Sequence, residues 1–386
     1  MAVRATKRGA ERTPLDRDCD VLVCGASFAG LAVARELEGA GADVLIVDRY
    51  EVGERQTSAC AAPTEWLENL DLGGSIRQTF DELVIHTPQD SFRYPLPWTF
   101  STFDYPEICR LLRAQSPSAE FETAKVEGIA PGQRHVVTTD RGELRSPLVV
   151  DGLGWRRVLA PGSAVQPPEA RLSRGLEVHP HGSGEDLEIW IDRRYIRAGY
   201  AWSFPAAGEL RVGVGSFEPR DHVKAGTVRL AGELSVDAVR YQGNWIPHQL
   251  RPAVEDGVFF VGDSAGHCLP LTAEGIRTAL YFGLALGREL RLVAAGRQTR
   301  DQALDRYGAF SAEHAWQYAW LLRAQHAVGR MTDRRALSAV IGALGRRRLI
   351  DWSFNHYLSI APPSFANAGA GARPAARAAA SALSAA

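Results

Sequence analysis

The stretch VLVCGASFAG, Val21 to Gly30, sets an apolar run directly against a turn with glycine at both ends. No other part of the chain constrains the fold as strongly. The run predicts a short buried strand over Cys19–Cys24. Leu31–Leu37 then carries helical apolar spacing up to the turn signal Gly39-Ala40-Gly41, and Asp43–Val47 predicts a second strand. A strand, helix, strand unit of roughly thirty residues favours parallel strands with the helix packed across them.

The turn itself reads Gly25-Ala26-Ser27-Phe28-Ala29-Gly30, a GxSxxG where the dinucleotide fingerprint has GxGxxG. Gly25 makes the tight turn, the middle residue must let backbone approach a pyrophosphate, and Gly30 lets helix and strand pack closely. Serine is the next smallest polar choice at the middle position and leaves the helix N-terminus free to hold phosphate. Asp48, followed by Arg49, closes the second strand about twenty residues on, where a carboxylate can take ribose hydroxyls. An ordinary glycine-rich α/β turn shares this outline, but the flanking strands and the placed acid favour a dinucleotide.

A second signal is VFFVGDSAGHCLPLTAEGI, Val258 to Ile276. A strand over Val258–Val261 ends at Gly262-Asp263, Pro270 breaks the path, and Thr272, Glu274 and Gly275 carry capping chemistry for a helix over Gly275–Leu292. This segment resembles the flavoprotein superfamily of para-hydroxybenzoate hydroxylase, geranylgeranyl reductases and flavin-dependent halogenases. The resemblance implies FAD, with Gly262 and Asp263 at the flavin ribitol and the N–H groups of Gly275 and Ile276 at the pyrimidine end of the ring. LVVDGLGW, Leu148 to Trp155, resembles the strand and aspartate-glycine turn that the family sets near FAD, which implies Asp151 and Gly154. Where the family has an arginine opening a helix against the phosphates, this chain has Tyr105 in DYPEICRLL, with Arg110 or Arg49 as compensating candidates.

Within that superfamily, PLTAEGI and GYAWSFP (Gly199 to Pro205) look like geranylgeranyl reductases, whose YxWxFP motif walls a prenyl cavity. Tyr200, Trp202, Phe204 and Pro205 match it position for position. Strand alternation puts Tyr200, Trp202 and Phe204 on one face; plain core packing is the competing reading. Cys60 in RQTSACAAP resembles the family's active-site cysteine segment, although Ala61 and Ala62 stand where glycines are usual. A buried, inert cysteine is the alternative there. The lysine segment of halogenases has no counterpart. His267 and Cys268 sit beside the second turn, and His179 with His181 in EVHPHG reads as a solvated turn rather than a metal pair.

The expected fold is α/β. A Rossmann-like FAD-binding domain (18–65, 100–160 and 252–300) is interleaved with a mixed β-sheet substrate domain (66–99 and 161–251), and C-terminal helices follow (301–365). The lead-in 1–17 and the Ala-rich tail 366–386 read as disordered. The resemblance implies an FAD-dependent reductase of carbon-carbon double bonds in a prenyl chain or other apolar substrate, with NAD(P)H or a reduced electron carrier as donor. The alternatives are a flavin-dependent monooxygenase using NAD(P)H and O2, and a non-catalytic flavoprotein partner. A net charge of -1 over 386 residues argues against nucleic acid. Cysteines at 19, 24, 60, 109 and 268 show no disulfide-like spacing, and neither a signal peptide nor an apolar span is evident, which fits a cytoplasmic protein. Arg346-Arg347-Arg348 beside Leu349, Ile350 and Trp352 is either a solvated helix face or a peripheral membrane contact. Oligomeric state is left open.

Overall fold

Runs of four or five apolar residues without alternation need cover on both faces, and they form the centre of the molecule. In the computed structural model, which describes residues 13–56, 59–160, 172–331, 333–344 and 347–367, the strands Val21–Cys24 and Leu148–Asp151 are buried throughout. Val258–Phe260, Leu148–Asp151, Val21–Cys24, Val44–Asp48 and Glu120–Thr123 pair in that order as parallel neighbours, with Val254–Glu255 antiparallel at the edge. Two helices, Phe28–Leu37 and Ile276–Ala294, pack together beside this sheet. Their close approach needs glycine: a Cβ at Gly283 would lie 2.7 Å from the carbonyl oxygen of Ala29.

An eight-stranded mixed sheet runs in the order Gln242–Pro247, Leu172–Val178, Leu210–Ser216, Gly199–Pro205, Leu187–Trp190, Ile76–His86, Ser91–Phe103, Ala61–Pro63. A four-stranded sheet of Arg17–Asp18, Gly142–Ser146, His135–Thr139 and Val126–Ala130 completes the β-structure. Helices Arg300–Ala312, Ala315–Arg330, Arg334–Leu344 and Arg347–Leu358 follow. The result is a mixed α/β chain with C-terminal helices.

Several sequence boundaries shift for physical reasons. Ala61–Pro63 pairs with Phe100–Thr102, so both segments belong to the large sheet rather than to the nucleotide-binding side. The lead-in is not wholly unstructured, because Arg17 pairs alongside Leu144 and Leu15 is buried. At the other end, Ala366 is buried in a short helix, Ser364–Asn367, and residues 368–386 lie outside the described residues. Arg346 also lies outside them. Leu349 and Trp352 are exposed, and among the described residues no helix is long and apolar enough to cross a membrane.

Candidate functional site

Parallel strands end together, and their carboxyl ends are where α/β sheets leave room for ligands. Here a cavity of about 840 Å³ opens beyond Cys24, Asp48, Asp151 and Phe260, and the large sheet closes its far side. The turn Gly25–Gly30 forms one rim. Gly25 sits at φ 113°, and a Cβ on it would lie 2.3 Å from the carbonyl oxygen of Gly152; one on Gly30 would lie 1.9 Å from that of Gly25. Neither glycine lines the cavity, so both act by permitting the close approach. Ala26, Ser27, Phe28 and Ala29 do line it.

Asp48 is tied to this turn by Ala26 N–H, which donates to Oδ2 at 2.9 Å, and by Tyr50 N–H, which donates to Oδ1 at 3.0 Å. Ser27 opens the helix without capping it through its side chain. Its Oγ lies 3.3 Å from the hydroxyl of Tyr105, whose ring meets Phe28 edge-on at 5.6 Å. The two departures from the family pattern therefore touch each other. Arg49 lines the cavity with its guanidinium over Tyr50, whereas Arg110 is held by Glu107 on an exposed helix face and does not reach it.

Asp151 needs correction. It is fully buried and lies outside the cavity lining. Its carboxylate accepts from Leu153 N–H (2.9 Å), Leu159 N–H (2.9 Å) and Ser264 hydroxyl (2.7 Å). Burial raises its pKa against those hydrogen bonds. Its work is to brace the loop Gly152–Trp155, whose residues do face the cavity.

Asp263 lines the cavity, and its carboxylate accepts no hydrogen bond among the described residues. Loss of hydration pushes its pKa up to about 6, with Arg251 pulling the other way. Gly275 and Ile276 line the same region at the start of the helix Ile276–Ala294. The capping chemistry expected of Thr272 and Glu274 is absent, because Glu274 is consumed by buried Arg277 at 2.7 Å and 2.9 Å. Leu271 and Ala273 take positive φ in this loop, which the C-terminal helices hold: Gln325 accepts from Leu271 N–H at 2.8 Å, and Tyr357 hydroxyl lies 2.8 Å from Thr272 Oγ1.

The opposite wall carries the aromatic strand. Tyr200, Trp202 and Phe204 line the cavity; Pro205 does not, since alternation turns it to the other face, where it packs against Gly184. Trp202 pairs with Gly213, and Gly213 with Glu177. The indole lies across Gly213 so closely that a Cβ there would be 2.2 Å from it, and its Nε1 reaches Glu177 Oε2 at 3.3 Å. The small residues of RVGVGSF thus let a large ring lie flat on the sheet.

Cys60 also lines the cavity, at φ 55°, with its thiol pKa driven far up by burial. Arg211 holds that loop by donating to the carbonyls of Ala59 (3.0 Å), Cys60 (3.1 Å) and Phe103 (2.8 Å). Cys268 lines the cavity with a similarly raised pKa. His267 does not: it stacks on Phe282 in the core. The solvated-turn reading fails for His179, which is 3% exposed and sits between Glu177 and Glu209. His181 is exposed. Sequence reasoning passed over Glu177 and Gly213; an acid amid the apolar residues of LSRGLEV was the available signal.

Residues 18–97 match the FAD binding domain family. The chain is 25% identical over 367 residues to digeranylgeranylglycerophospholipid reductase 2 of Methanopyrus kandleri, covering 86% of this chain and 91% of that protein. It is 23% identical over 332 residues to digeranylgeranylglycerophospholipid reductase 3 of Methanosphaera stadtmanae, covering 77% and 83%. Its fold is shared with a geranylgeranyl bacteriochlorophyll reductase-like protein of Thermoplasma acidophilum, with a TM-score of 0.77 at 15% identity over 91% of this chain and 98% of that one. PqsL of Pseudomonas aeruginosa, named as a probable FAD-dependent monooxygenase, superposes with a TM-score of 0.66 at 19% identity, over 84% and 100%. The chain is an FAD-dependent oxidoreductase resembling geranylgeranyl reductases.

Proposed function

We propose that this protein reduces carbon-carbon double bonds in a prenyl chain or another apolar substrate. One observation carries the reading: three aromatic side chains from alternate positions of one strand line the same cavity as the glycine-rich turn and Asp263. The reductases named among the relatives support the substrate class.

The site fits FAD. The Cβ-free approach at Gly25 and Gly30, with Ser27, Phe28 and Ala29 at the helix N-terminus, suits the pyrophosphate. Asp48 has its carboxylate beside that turn for a ribose, with Arg49 next to it. Asp263, half-buried and with a carboxylate that lacks a donor among the described residues, suits a ribitol hydroxyl, beside Gly262. The N–H groups of Gly275 and Ile276 suit an electron-rich ring edge. Asp151 contributes only through the loop it braces. When bound, FAD supplies hydride transfer, and the protein supplies position and exclusion of water.

The chain's own residues supply the rest. Tyr200, Trp202 and Phe204 offer ring faces along an apolar chain, and such faces attract the positive charge that builds at an alkene carbon between hydride and proton delivery. Cys60 stands at the cavity wall as a further candidate. NAD(P)H or a reduced carrier would restore the flavin. The exposed indoles of Trp316, Trp320 and Trp352 support peripheral contact with a lipid surface.

The test is anaerobic incubation of chemically reduced holoenzyme with a digeranylgeranyl glycerophospholipid and shorter prenyl alcohols. Each saturated bond adds the mass of two hydrogens. No gain with any probe, together with oxygen-dependent gain of one oxygen atom in air, would overturn the reading in favour of a monooxygenase.

A further inference from the structure

Beneath the aromatic wall, a chain of ionisable groups runs from solvent to the cavity. Glu177 lines the cavity; its Oε2 accepts from Trp202 Nε1 at 3.3 Å, and its Oε1 lies 2.8 Å from His179 Nε2. His179 Nδ1 lies 3.3 Å from Glu209 Oε1, and Glu209 Oε2 lies 3.2 Å from Arg240. Side-chain exposure rises along the path from 5% at Glu177 and 3% at His179 to 26% at Glu209 and 48% at Arg240, which gives the chain an inner and an outer end.

The neighbours of this chain narrow its role. Arg211, on the adjacent strand, reaches Glu209 at 3.3 Å and otherwise serves backbone carbonyls. On the next strand over, Gln242 is in register with Glu177 and leaves its Oε1 buried without a partner among the described residues, so the cavity wall is polar where these two side chains stand. The other proton carriers on the wall are less suited. Tyr200 donates its hydroxyl to the carbonyl of Thr272, and burial holds the Cys60 thiol protonated.

Resting on the double-bond reading above, we propose that Glu177 delivers the proton that completes alkene reduction and that His179 and Glu209 recharge it. With reduced FAD bound, the flavin would supply a hydride, and with it both electrons, to one alkene carbon as the π bond breaks. The other carbon receives a proton that the Glu177 carboxylate has first taken from His179, the carboxyl group turning to present it to the cavity. The Nε2 proton of His179 moves to Glu177 Oε1, and the neutral imidazole keeps its Nδ1–H on Glu209 until water returns the lost proton. Burial opposes charge on His179, but hydrogen bonds to Glu177 and Glu209 outweigh it and raise its pKa, which favours a filled store.

Single-turnover reduction of a digeranylgeranyl glycerophospholipid by pre-reduced holoenzyme tests this, with wild type, Glu177→Gln, Glu177→Asp and Glu209→Gln compared across pH. Glu177→Gln should slow product formation by about 10²- to 10⁴-fold, the usual range for a lost general acid. Glu177→Asp should recover part of the rate, and Glu209→Gln should move the fall in rate to lower pH. Nitrogen NMR of the unliganded protein provides a readout apart from turnover: the doubly protonated His179 ring should persist above the ordinary histidine range and lose that persistence in Glu209→Gln, even if Glu177→Gln folds poorly. Wild-type rates in Glu177→Gln, or a His179 that titrates at or below the ordinary value, would overturn the relay while leaving alkene reduction intact. A wild type that reduces no prenyl probe would remove the reading itself and the delivery step with it.

Discussion

The two walls of the cavity are built on opposite principles. On the turn side, Gly25, Gly30 and Gly152 bring backbone against backbone, and the starts of two helices line the cavity. On the sheet side, Tyr200, Trp202, Phe204 and Glu177 present side chains from a regular ladder. The first wall tolerates almost no added atom. The second depends on which side chain stands where, and its backbone is ordinary strand. Fold and cofactor retention should therefore break with changes to the first wall, and turnover with changes to the second.

The largest expected effect tests the first wall. Gly25→Ala forces a Cβ to within 2.3 Å of a carbonyl oxygen at φ 113°. A cost on the order of 3 kcal/mol combines backbone strain with overpacking. Thermal melting should show that loss in the apo protein, and the purified variant should be colourless. A yellow variant of normal stability would erase the contrast between the walls.

Next is Gly213→Ala, which displaces the Trp202 indole and lifts it away from Glu177. Turnover should fall by about 10²-fold, the scale of a small misplacement in a reacting site. FAD affinity, followed by flavin fluorescence, should change less than about twofold. Trp202→Ala sharpens the same point: it should spare flavin binding and cost well under the ~3–5 kcal/mol of a core tryptophan. Unfolding of that variant would assign the aromatic strand to core packing after all.

The smallest effect concerns pH. The folded-state pKa of Asp263, about 6, stands above the ordinary carboxylate value of 3.8, so the folded apo protein binds more protons across that interval. The stability associated with the protonated acid should be fully present below the ordinary value and lost as pH rises through about 6. A ribitol hydroxyl donating to the carboxylate would favour the ionised form, so added FAD should raise the melting temperature more at pH 7 than at pH 4.5. An FAD-induced shift that is flat with pH would remove Asp263 from the cofactor site.

What was legible in the sequence follows the same division. The strand, turn and helix around Gly25–Gly30 and the alternation of GYAWSFP are local patterns, and they appear within three residues of their expected bounds. Asp151 was misassigned because a turn motif does not say whether its acid faces a ligand or its own loop. Pro205 matched a motif whose last position alternation turns away. Glu177, His179 and Glu209 were hidden because their meeting is tertiary: it depends on the antiparallel register between Leu172–Val178 and Leu210–Ser216. The long hairpin Ile76–His86/Ser91–Phe103 was expected only as part of a β-sheet region over 66–99, without its strands, and the helix Val223–Glu233 escaped the sequence reading.

The clamp on the loop Pro270–Gly275 bears on the order of events during synthesis. Arg277 donates to the carbonyls of Leu358 (2.8 Å) and Ala361 (3.1 Å), Tyr357 reaches Thr272 and Glu274, and Trp66 Nε1 donates to the Ala361 carbonyl at 2.9 Å. The glycine turn leaves the ribosome more than three hundred residues before Leu358 and Ala361 do. A nascent chain can thus complete its parallel sheet once Val258–Phe260 has emerged, yet lack a fixed pocket floor until Leu358 and Ala361 have followed. That delay separates the folding of this protein from the maturation of its site.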